Sequence, residues 1–598
     1  MEYEAYVTIA VIVVAFALFI TEYFSIDQIS ISIIIVLVLT GVLSPEDGVK
    51  GFANPATITV AAMFVISDAL LRTGIVESIT PVFIRLIKKS YYLSILGIST
   101  ITAGISAFIN NTPVVATSIP IVMAAAKKTK FSPAKFLIPL SYGAIFGGTC
   151  TLIGTSTNLL VSGIAVSYGL EPFSMFLMAP LGLVFLGIGV LYLTIFSKKL
   201  LPESTVGDDL TKAVSLKNYL TEIKVIQNLT ESKEPITISN LFKQDGMQVY
   251  VDQLYRGNKV MKDPSLNTVL FKGDHLLVRG EMEKIKNLLK NESLNVSTKL
   301  GTRNFREKET KLIEIILLPN SELINKKLND TDFFHKYRSK VLAIRQRGKQ
   351  RLEDLNFIYL RAGDIILLQT DKEGTELLQS SERKKRAAFI SLSETGLKKI
   401  DKKKLIVAVF TIVTMVTLAS TGILDIMTAA LAAVAVLLFA KISSTQDAYR
   451  AIDWKVIVLL AGALSLGEAM QQSGLSKILA QWLVDHVGEM LGPTILISVL
   501  YVITTILTGI MSNNATAALL APIAISLSVS FDVSPLPFLM AITFAASADF
   551  MTPIGYQTNT MVYSAGNYAF KDFLRIGTPL NILFWILATF LIPYFYPL

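Results

Sequence analysis

The chain has 598 residues, 52% of them hydrophobic, and a mean hydropathy of +0.54, which predicts a mixture of membrane and soluble parts rather than either alone. One cysteine, Cys150, excludes an intrachain disulfide framework, and three histidines, His275, His335 and His486, offer no plausible metal cluster. Basic loops beside membrane segments account for the net charge of +9, so no nucleic-acid partner is predicted.

Apolar runs long enough to span a bilayer, roughly 17–25 residues, recur at both ends of the chain. The first run opens with "MEYEAYV", which has neither a basic region nor a cleavage site, so it is predicted to be a retained helix. Two further apolar segments, 113–126 and 515–530, are shorter. The long runs lie near 5–24, 28–44, 55–71, 93–109, 134–150, 173–197, 402–420, 423–440, 454–470, 493–510 and 574–596.

Between these ends, residues from about 199 to 401 are polar and charged. Such a change in composition is typical of a soluble domain inserted between two membrane halves. The predicted boundaries are 1–198 and 402–598 for the membrane halves, with soluble domains at 205–295 and 300–385.

The two membrane halves repeat one pattern at an offset of 400 to 402 residues. "SPEDGVKGF" (44–52) matches "STQDAYRAI" (444–452), and "TLIGTSTN" (151–158) matches "TPIGYQTN" (552–559). The polar triplet Asn110-Asn111-Thr112 aligns with Ser512-Asn513-Asn514. Chance apolar similarity does not keep register over this length, so the sequence predicts one structural unit used twice.

Basic flanks predict how each unit lies in the membrane. Lys88-Lys89 and Lys127-Lys128 enclose a helix, a polar centre and a second helix, which places both ends in the cytoplasm. The unit is therefore a re-entrant hairpin. The predicted fold is a polytopic α-helical membrane protein with an inverted repeat, five crossings plus one re-entrant hairpin per half, and inserted cytoplasmic α+β domains. Its predicted location is the plasma membrane, with both termini on the outer side.

Polar, irregular backbone at membrane depth persists only where protein or a water-filled cavity satisfies its hydrogen bonds. Two hairpin tips and two unwound segments, "GTSTN" and "GYQTN", are expected to converge near the midplane. Carbonyl and amide oxygens suit a hard cation such as sodium, whereas amide N–H groups, hydroxyls and helix N-termini suit an anion. The alternative is that these polar side chains only hold neighbouring helices together. That alternative is weak, because four such motifs recur in repeat register.

Three acidic residues near these motifs leave their roles open. For Asp68 and Glu468, the sequence favours two roles equally: a structural role, capping or pairing at a helix end, and a functional role. Asp549 lies beside the second unwound segment, and intramembrane carboxylates are often functional, so cation pairing or proton coupling is a candidate role. Cys150 is expected to be a small packing residue.

The paired hairpin motifs resemble the Ser-Asn-Thr signatures of the divalent anion:sodium symporter (DASS) family, and the segments after them resemble its Gly/Ala-Thr-Pro-Pro-Asn signatures. The resemblance implies an elevator transporter, usually a homodimer, with one sodium site per repeat and no organic cofactor. It assigns the first sodium site to Ser106, Asn110, Asn111 and Gly154, the second to Thr508, Met511 (through its carbonyl), Asn513 and Gly555, and the substrate to Asn110, Asn111, Thr112, Ser512, Asn513, Asn514 and Tyr556.

The sequence departs from the family signatures at the substrate pocket. Thr155-Ser156-Thr157 and Tyr556-Gln557-Thr558 stand where that family has Thr-Pro-Pro. Tyr556 and Gln557 are larger and bring hydrogen-bond donors, which favours a compact oxyanion such as sulfate over a four-carbon dicarboxylate.

The polar insert contains its own repeat. "TEIKV" (221–225) echoes "IEIIL" (313–317), "KGDHLLVRG" (272–280) echoes "AGDIILLQT" (362–370), and Arg256-Gly257 aligns with Arg347-Gly348. Short strands with Gly-Asp turns predict two small α+β modules that resemble TrkA-C (RCK_C) domains. That resemblance implies that the modules bind a regulatory ligand, such as a nucleotide. The alternative, that the pair of modules is a dimerisation or folding scaffold, is nearly as well favoured.

These patterns and resemblances together predict a transporter that imports a divalent anion coupled to sodium, with sulfate as the favoured anion. The alternatives are a dicarboxylate symporter, a transporter-like membrane sensor and an ion channel with regulatory domains. A channel would show a selectivity filter repeated around a pore, and an enzyme would show a nucleophile–base or metal constellation. The sequence has neither, so no enzymatic activity is predicted.

Overall fold

A computed structural model of the chain describes residues 3–21, 23–78, 80–127, 131–202, 219–225, 237–238, 250–257, 259–262, 264–265, 267–280, 294–296, 311–318, 321–346, 349–351, 355–383, 389–391, 401–475, 478, 492–553 and 555–598. Six helical stretches in these ranges are long and apolar enough to cross a membrane: Pro45–Arg72, Ala179–Leu200, Lys402–Ser420, Trp454–Gln472, Asn513–Ser530 and Phe570–Phe595. The protein is a polytopic helical membrane protein.

The first apolar end is almost entirely helical. A short 3₁₀ segment, Gly51–Ala53, joins α3 to α4. The helices are α1 (Tyr3–Thr21), α2 (Ile26–Leu39), α3 (Pro45–Lys50), α4 (Pro55–Arg72), α5 (Ile75–Ser78), α6 (Thr80–Lys89), α7 (Tyr91–Ser106), α8 (Asn111–Lys127), α9 (Ala134–Gly148), α10 (Ser156–Ser167) and α11 (Ala179–Leu200).

The insert contributes α12 (Phe333–Tyr337) and α13 (Lys372–Arg383). The helices of the second apolar end follow the same order as those of the first. Its helices are α14 (Lys402–Ser420), α15 (Ile426–Phe439), α16 (Thr445–Ala451), α17 (Trp454–Gln472), α18 (Pro493–Thr508), α19 (Asn513–Ser530), α20 (Pro535–Ser547), α21 (Gln557–Ala565) and α22 (Phe570–Phe595).

Each end contains a helix pair joined by a short polar tip, followed by a helix that breaks and resumes. The pairs are α7–α8 and α18–α19, and the breaks separate α9 from α10 and α20 from α21. At the second tip the Ser512 hydroxyl accepts a hydrogen bond from the amide of Ala515, at 3.3 Å, which satisfies one of the free amides at the start of α19.

Helices of the two ends pack on one another in reciprocal pairs. Helix α2 contacts α17 while α15 contacts α4, and α10 contacts α19 while α21 contacts α8. Close packing depends on small residues: a Cβ on Gly462 would lie 2.9 Å from the carbonyl oxygen of Ser30. Aromatic rings from both ends, including Phe146, Phe550 and Phe584, fill the centre.

The polar insert contains two five-stranded antiparallel sheets. The first has the order β3-β2-β4-β1-β5 and the second the order β10-β6-β9-β7-β8, so corresponding strands occupy corresponding places. The last strand of each sheet lies at or beyond the predicted boundaries, residues 295 and 385. The strands are β1 (Tyr219–Val225), β2 (Tyr250–Arg256), β3 (Lys259–Lys262), β4 (His275–Gly280), β5 (Leu294–Val296), β6 (Lys311–Leu317), β7 (Ser339–Gln346), β8 (Lys349–Arg351), β9 (Ile365–Thr370) and β10 (Phe389–Ser391).

The Gly-Asp turns before β4 and β9 have the same internal structure. Gly363 has a φ of +81°, a backbone conformation that favours glycine. Asp274 accepts both a backbone amide at 2.9 Å and the guanidinium of Arg256 at 2.7 Å. Asp364 accepts the side-chain amide of Gln346 at 2.8 Å. Gln346 therefore takes the place of Arg256, one residue before the position expected from sequence.

The second sheet packs on both of its faces. Ile315 and Leu317 on β6 belong to the core of the insert's second module. Ile316 on the same strand and Ile365 on β9 belong instead to the continuous core of the membrane part. Because side chains alternate along a strand, one face of this sheet is docked on the membrane helices.

Candidate functional site

The first hairpin tip meets the second unwound segment. The side-chain amide of Asn111 donates to the hydroxyl of Tyr556 at 2.5 Å, and the hydroxyl of Thr112 donates to Oε1 of Gln557 at 3.0 Å. Asn111 and Tyr556 are buried, whereas Gln557 is exposed. These residues are 445 positions apart in sequence, so the contact joins the two halves.

The second hairpin tip makes the reciprocal contact with the first unwound segment. The side-chain amide of Asn514 donates to the hydroxyl of Ser156 at 3.0 Å, and its Oδ1 accepts from the hydroxyl of Thr157 at 2.8 Å. Each tip therefore contacts the broken helix of the other half.

Two buried asparagines hold the unwound segments in shape. Nδ2 of Asn158 donates to the carbonyls of Gly148 and Thr151 at 3.0 and 2.8 Å. Nδ2 of Asn559 donates to the carbonyls of Asp549 and Thr552 at 2.7 and 3.2 Å. These bonds replace the intrahelical partners that the backbone loses where each helix breaks.

Four helices begin at this point of the molecule. Helices α8, α10, α19 and α21 start at Asn111, Ser156, Asn513 and Gln557. A helix N-terminus carries a partial positive charge and free amide groups, and so favours an anion. The residues that precede the four helices all line one cavity: Asn110, Thr155, Ser512 and Tyr556.

That cavity has a volume of about 1140 Å³. Six of the seven residues predicted to bind substrate line this cavity: Asn110, Thr112, Ser512, Asn513, Asn514 and Tyr556. The seventh, Asn111, lies directly behind Tyr556.

Basic side chains also line the cavity, and sequence analysis of the four motifs missed them. They are Arg72, Lys404, Arg450 and Lys455. Arg72 pairs with Asp68 through a hydrogen bond of 3.1 Å and approaches Asp447 at 3.8 Å. The available signal was the position of these residues next to apolar runs, where the chain enters or leaves the membrane.

Of the three acidic residues left open by the sequence, two make ordinary side-chain contacts. Asp68 forms the ion pair with Arg72, and Glu468 accepts a hydrogen bond from the amide of Gln472 at 2.9 Å. Asp549 is buried in the second unwound segment. Cys150 is also buried, with its thiol against the carbonyl of Phe146 at 3.3 Å, as a packing residue would be.

The first predicted cation set has oxygens without partners. Ser106 and Asn111 are buried, and Oγ of Ser106 and Oδ1 of Asn111 have no hydrogen-bond partner among the described residues. A Cβ on Gly148 would lie 2.8 Å from Oδ1 of Asn111, and one on Gly154 would lie 2.6 Å from the carbonyl oxygen of Gly148. Buried, unpaired oxygens are the groups that a hard cation needs as ligands.

The residues of the second predicted cation set also lie close together. A Cβ on Gly555 would overlap the carbonyl oxygen of Thr508 and lie 2.5 Å from Oδ2 of Asp549. Thr508 and Met511 are fully buried, and the side chain of Asn513 reaches Tyr556. The predicted donors supply carbonyl, hydroxyl and amide oxygens, which suit sodium, and the carboxylate of Asp549 lies beside them.

Membrane-embedded broken helices around one polar cavity define a transporter-like membrane protein. The family model described as "Citrate transporter" matches residues 16–534. The chain belongs to that family.

Several relatives of the chain carry transporter names. A Synechocystis protein named an uncharacterized transporter is 35% identical over 607 residues, covering 100% of this chain and 98% of its own. Sodium/sulfate cotransporter 2 of Chlamydomonas reinhardtii is 22% identical over 91% of this chain and 84% of its own. The sodium-dependent dicarboxylate transporter SdcS of Staphylococcus saprophyticus is 32% identical, over 24% of this chain and 27% of its own.

Among solved structures, the YdaH transporter of Alcanivorax borkumensis covers 93% of this chain and 87% of its own. Its TM-score is 0.43 and its sequence identity 12%, which is too low a similarity to define the fold.

Proposed function

We propose that the protein imports a divalent anion together with sodium, and that the anion is sulfate. The observation that carries the proposal is the convergence of four helix N-termini, two from each half, on one cavity. Those termini supply free amides and positive dipole ends to an anion. The hydroxyls and amides of Thr112, Ser512 and Asn514 surround the same space.

Sodium coupling is supported by the oxygens behind the tips. Ser106, Asn111 and Thr508 are buried; Oδ1 of Asn111 lies beside Gly148, and the carbonyl oxygen of Thr508 lies beside Gly555. A cation bound there offsets the charge of the anion in the cavity. The names of the sodium-dependent relatives are consistent with this assignment.

The part of the cavity next to Tyr556 favours sulfate as the anion. Tyr556 turns into the site and contacts Asn111, which brings a bulky, donor-bearing side chain to the substrate position. A carboxylate substrate is the second candidate, because the cavity as a whole, at about 1140 Å³, can hold a larger anion. The family description and the dicarboxylate relative support that second candidate.

Transport is proposed to follow an elevator mechanism in a homodimer at the plasma membrane, with the insert in the cytoplasm. The reciprocal contacts of α8 with α21 and α10 with α19 support an inverted repeat in which hairpins and broken helices form one unit. A sensor that binds without transport and a channel are less favoured, because both tips are intact and each forms hydrogen bonds with the broken helix of the other half.

The insert is proposed to regulate uptake through two TrkA-C-like modules that bind a small cytoplasmic ligand such as a nucleotide. Its second module lies against the site: Ser321, Glu322 and Asn325 line the same cavity as the hairpin tips. A Cβ on Gly363 would lie 2.7 Å from the carbonyl oxygen of Thr560 on α21. A module in contact with the broken helix can favour one transport state over another.

Uptake into proteoliposomes tests this function directly. Labelled sulfate, succinate and citrate are each offered with an inward sodium gradient, with potassium in place of sodium, and with an inward proton gradient alone. We expect sodium-dependent uptake of sulfate that unlabelled succinate displaces poorly. Sodium-dependent uptake of succinate or citrate without sulfate uptake would assign the carboxylate substrate, and uptake driven by protons alone would refute sodium coupling.

A further inference from the structure

The two unwound segments make matching contacts with their own hairpin tips. The hydroxyl of Thr151 donates to the carbonyl of Ala107, and the hydroxyl of Thr552 donates to the carbonyl of Gly509 at 3.1 Å. Asn158 and Asn559 make the matching bonds to backbone carbonyls described above. Because the sites correspond in this detail, a difference between them at one position is informative.

That difference is at Asp549, which corresponds to Gly148 in the first half. The two residues supply the carbonyls that accept from Asn559 and Asn158, respectively. In the first half, the amide of Asn111 fills the space beside Gly148, at 2.7 Å from a Cβ built there. In the second half, that position carries a carboxylate.

The surroundings of Asp549 are neutral in the part of the chain that the structure describes. Asp549 is 1% exposed, and Thr552 donates to it through its amide at 3.3 Å and its hydroxyl at 3.1 Å. No described Lys, Arg or His forms an ion pair with it. Removing a carboxylate from water without a counter-charge costs several kcal/mol even after relaxation of the protein, and a bound cation would offset that cost for the ionised form.

The geometry supplies a place for that cation. Oδ2 of Asp549 and the carbonyl oxygen of Thr508 both lie close to Gly555: a Cβ built there would overlap the carbonyl oxygen and lie 2.5 Å from Oδ2. The backbone amides of Gly555 and Tyr556 also hydrogen-bond to the Asp549 carboxylate. The carboxylate of Asp549 and the partial negative charge of the Thr508 carbonyl oxygen repel each other, and a cation bound between them would offset that repulsion. Gly555 also keeps this region free of side-chain bulk.

We infer that the carboxylate of Asp549 is a direct ligand of sodium in the second site, together with the carbonyl of Thr508. This inference rests on the proposed function, since it assumes that sodium is the coupling ion. A charged ligand makes the second site the stronger of the two, because the first offers only neutral oxygens from Ser106, Asn110, Asn111 and the backbone of Gly154.

Sodium binding to the purified full-length protein tests this ligand without transport. Radioactive sodium binding and the melting temperature are measured against sodium concentration, with choline as the replacement cation and no anion present. The variant is Asp549→Asn, which keeps the shape of the side chain. The matched control is Asp532→Asn, an exposed acidic residue in the same half whose φ of +50° suits asparagine.

We expect Asp549→Asn to weaken sodium binding at least tenfold and to lose most of the sodium-dependent rise in melting temperature, while Asp532→Asn matches the wild type. In choline, Asp549→Asn should melt no lower than the wild type, because it removes an unpaired buried charge; this shows that the variant is folded. Equal sodium affinity in the wild type and Asp549→Asn would overturn the inference and leave sodium coupling intact. A wild-type protein that binds no sodium would instead overturn the proposed function.

Discussion

The side-chain amide of Asn111 donates a hydrogen bond to the hydroxyl of Tyr556 at 2.5 Å and so joins the first hairpin to the broken helix of the second half. Its other polar atom, Oδ1, lies beside Gly148 without a hydrogen-bond partner in the described chain. One side chain therefore faces the proposed anion position on one side and the proposed first cation position on the other. This arrangement gives a physical reason for cation and anion binding to be coupled.

The substitutions Asn111→Ala and Asn513→Ala should each abolish sodium-driven uptake. Each removes a carbonyl oxygen predicted to bind sodium and an amide predicted to bind the anion. Asn329→Ala, an exposed change in the insert, is the control and should transport normally. Size-exclusion chromatography should show all three proteins folded. Normal uptake by either tip variant would remove that residue from the proposed site.

Tyr556→Phe and Tyr556→Thr separate the hydroxyl of this residue from its bulk. Loss of the hydroxyl in Tyr556→Phe leaves the buried amide of Asn111 unpaired and removes a donor to the anion, with an expected cost of about 1.5–3 kcal/mol in sulfate affinity. Tyr556→Thr should also weaken sulfate and, by removing bulk, admit larger anions. Competition of labelled sulfate uptake by succinate and citrate measures both effects. Unchanged affinity and selectivity in both variants would mean that Tyr556 does not contact substrate.

The sequence predicted that the hairpin tips and unwound segments meet, because the four motifs recur at a constant offset, and periodic apolar runs predicted the helices that carry them. The bounds of α14 (Lys402–Ser420) agree with the run at 402–420. Sequence could not show that Thr112 meets Gln557 or that Asn514 meets Ser156, since such contacts depend on how the two halves pack. It also could not place Arg72 in the cavity, because nothing in a local pattern relates α4 to a hairpin tip.

The register of the insert shows a similar limit. Matching letters aligned Arg256 with Arg347, but hydrogen bonding to the buried Asp274 and Asp364 makes Gln346 the structural counterpart of Arg256. Both sheets have an irregularity at the same place, between Val251 and Gln253 in β2 and between Val341 and Ala343 in β7. A bulge shifts which residues face each other, and letter matching cannot detect it.

Gly555→Ala should disrupt the second cation site through the backbone. The added Cβ would overlap the carbonyl oxygen of Thr508, which can move only if the hairpin tip moves with it. Gly187→Ala is the matched control, because a Cβ there meets nothing within 4 Å. We expect Gly555→Ala to lose sodium-dependent stabilisation and uptake, and Gly187→Ala to keep both. Wild-type sodium dependence in Gly555→Ala would show that the tip does not need this close approach.

The pair between Arg256 and Asp274 allows a test within the first module. Asp274 is 2% exposed, and its hydrogen bonds raise the pKa of Arg256. Arg256→Gln should be well tolerated, because Gln346 plays that part in the second module. Arg256→Leu should leave the buried carboxylate without its side-chain donor and destabilise the module by about 1–3 kcal/mol. Limited proteolysis of the full-length protein measures the difference; equal protease resistance would show that Asp274 needs no side-chain partner.

The two modules of the insert differ in how they pack on the membrane helices. One face of the second sheet, with Ile316 and Ile365, belongs to the membrane core, and its strand β10 contacts α8. The core of the first sheet, with Ile223 and Leu254, is separate. Replacing residues 205–296 with a flexible linker should therefore leave folding and basal uptake intact, whereas replacing 205–395 also uncovers apolar surface on the membrane helices and changes basal uptake.

Uptake by the two shortened proteins and the full-length chain is compared with and without added cell extract and candidate nucleotides. A ligand can shift transport only if it binds two states with different affinity, and the transported anion must then change the affinity for that ligand in turn. We expect inhibition of the full-length chain that weakens when 205–296 is replaced and disappears when 205–395 is replaced. Equal inhibition of all three proteins would place the regulator elsewhere. Failure of the shortest protein to dimerise, with no ligand effect on any form, would identify the insert as a scaffold, because its docked sheet would then serve only to hold helices together.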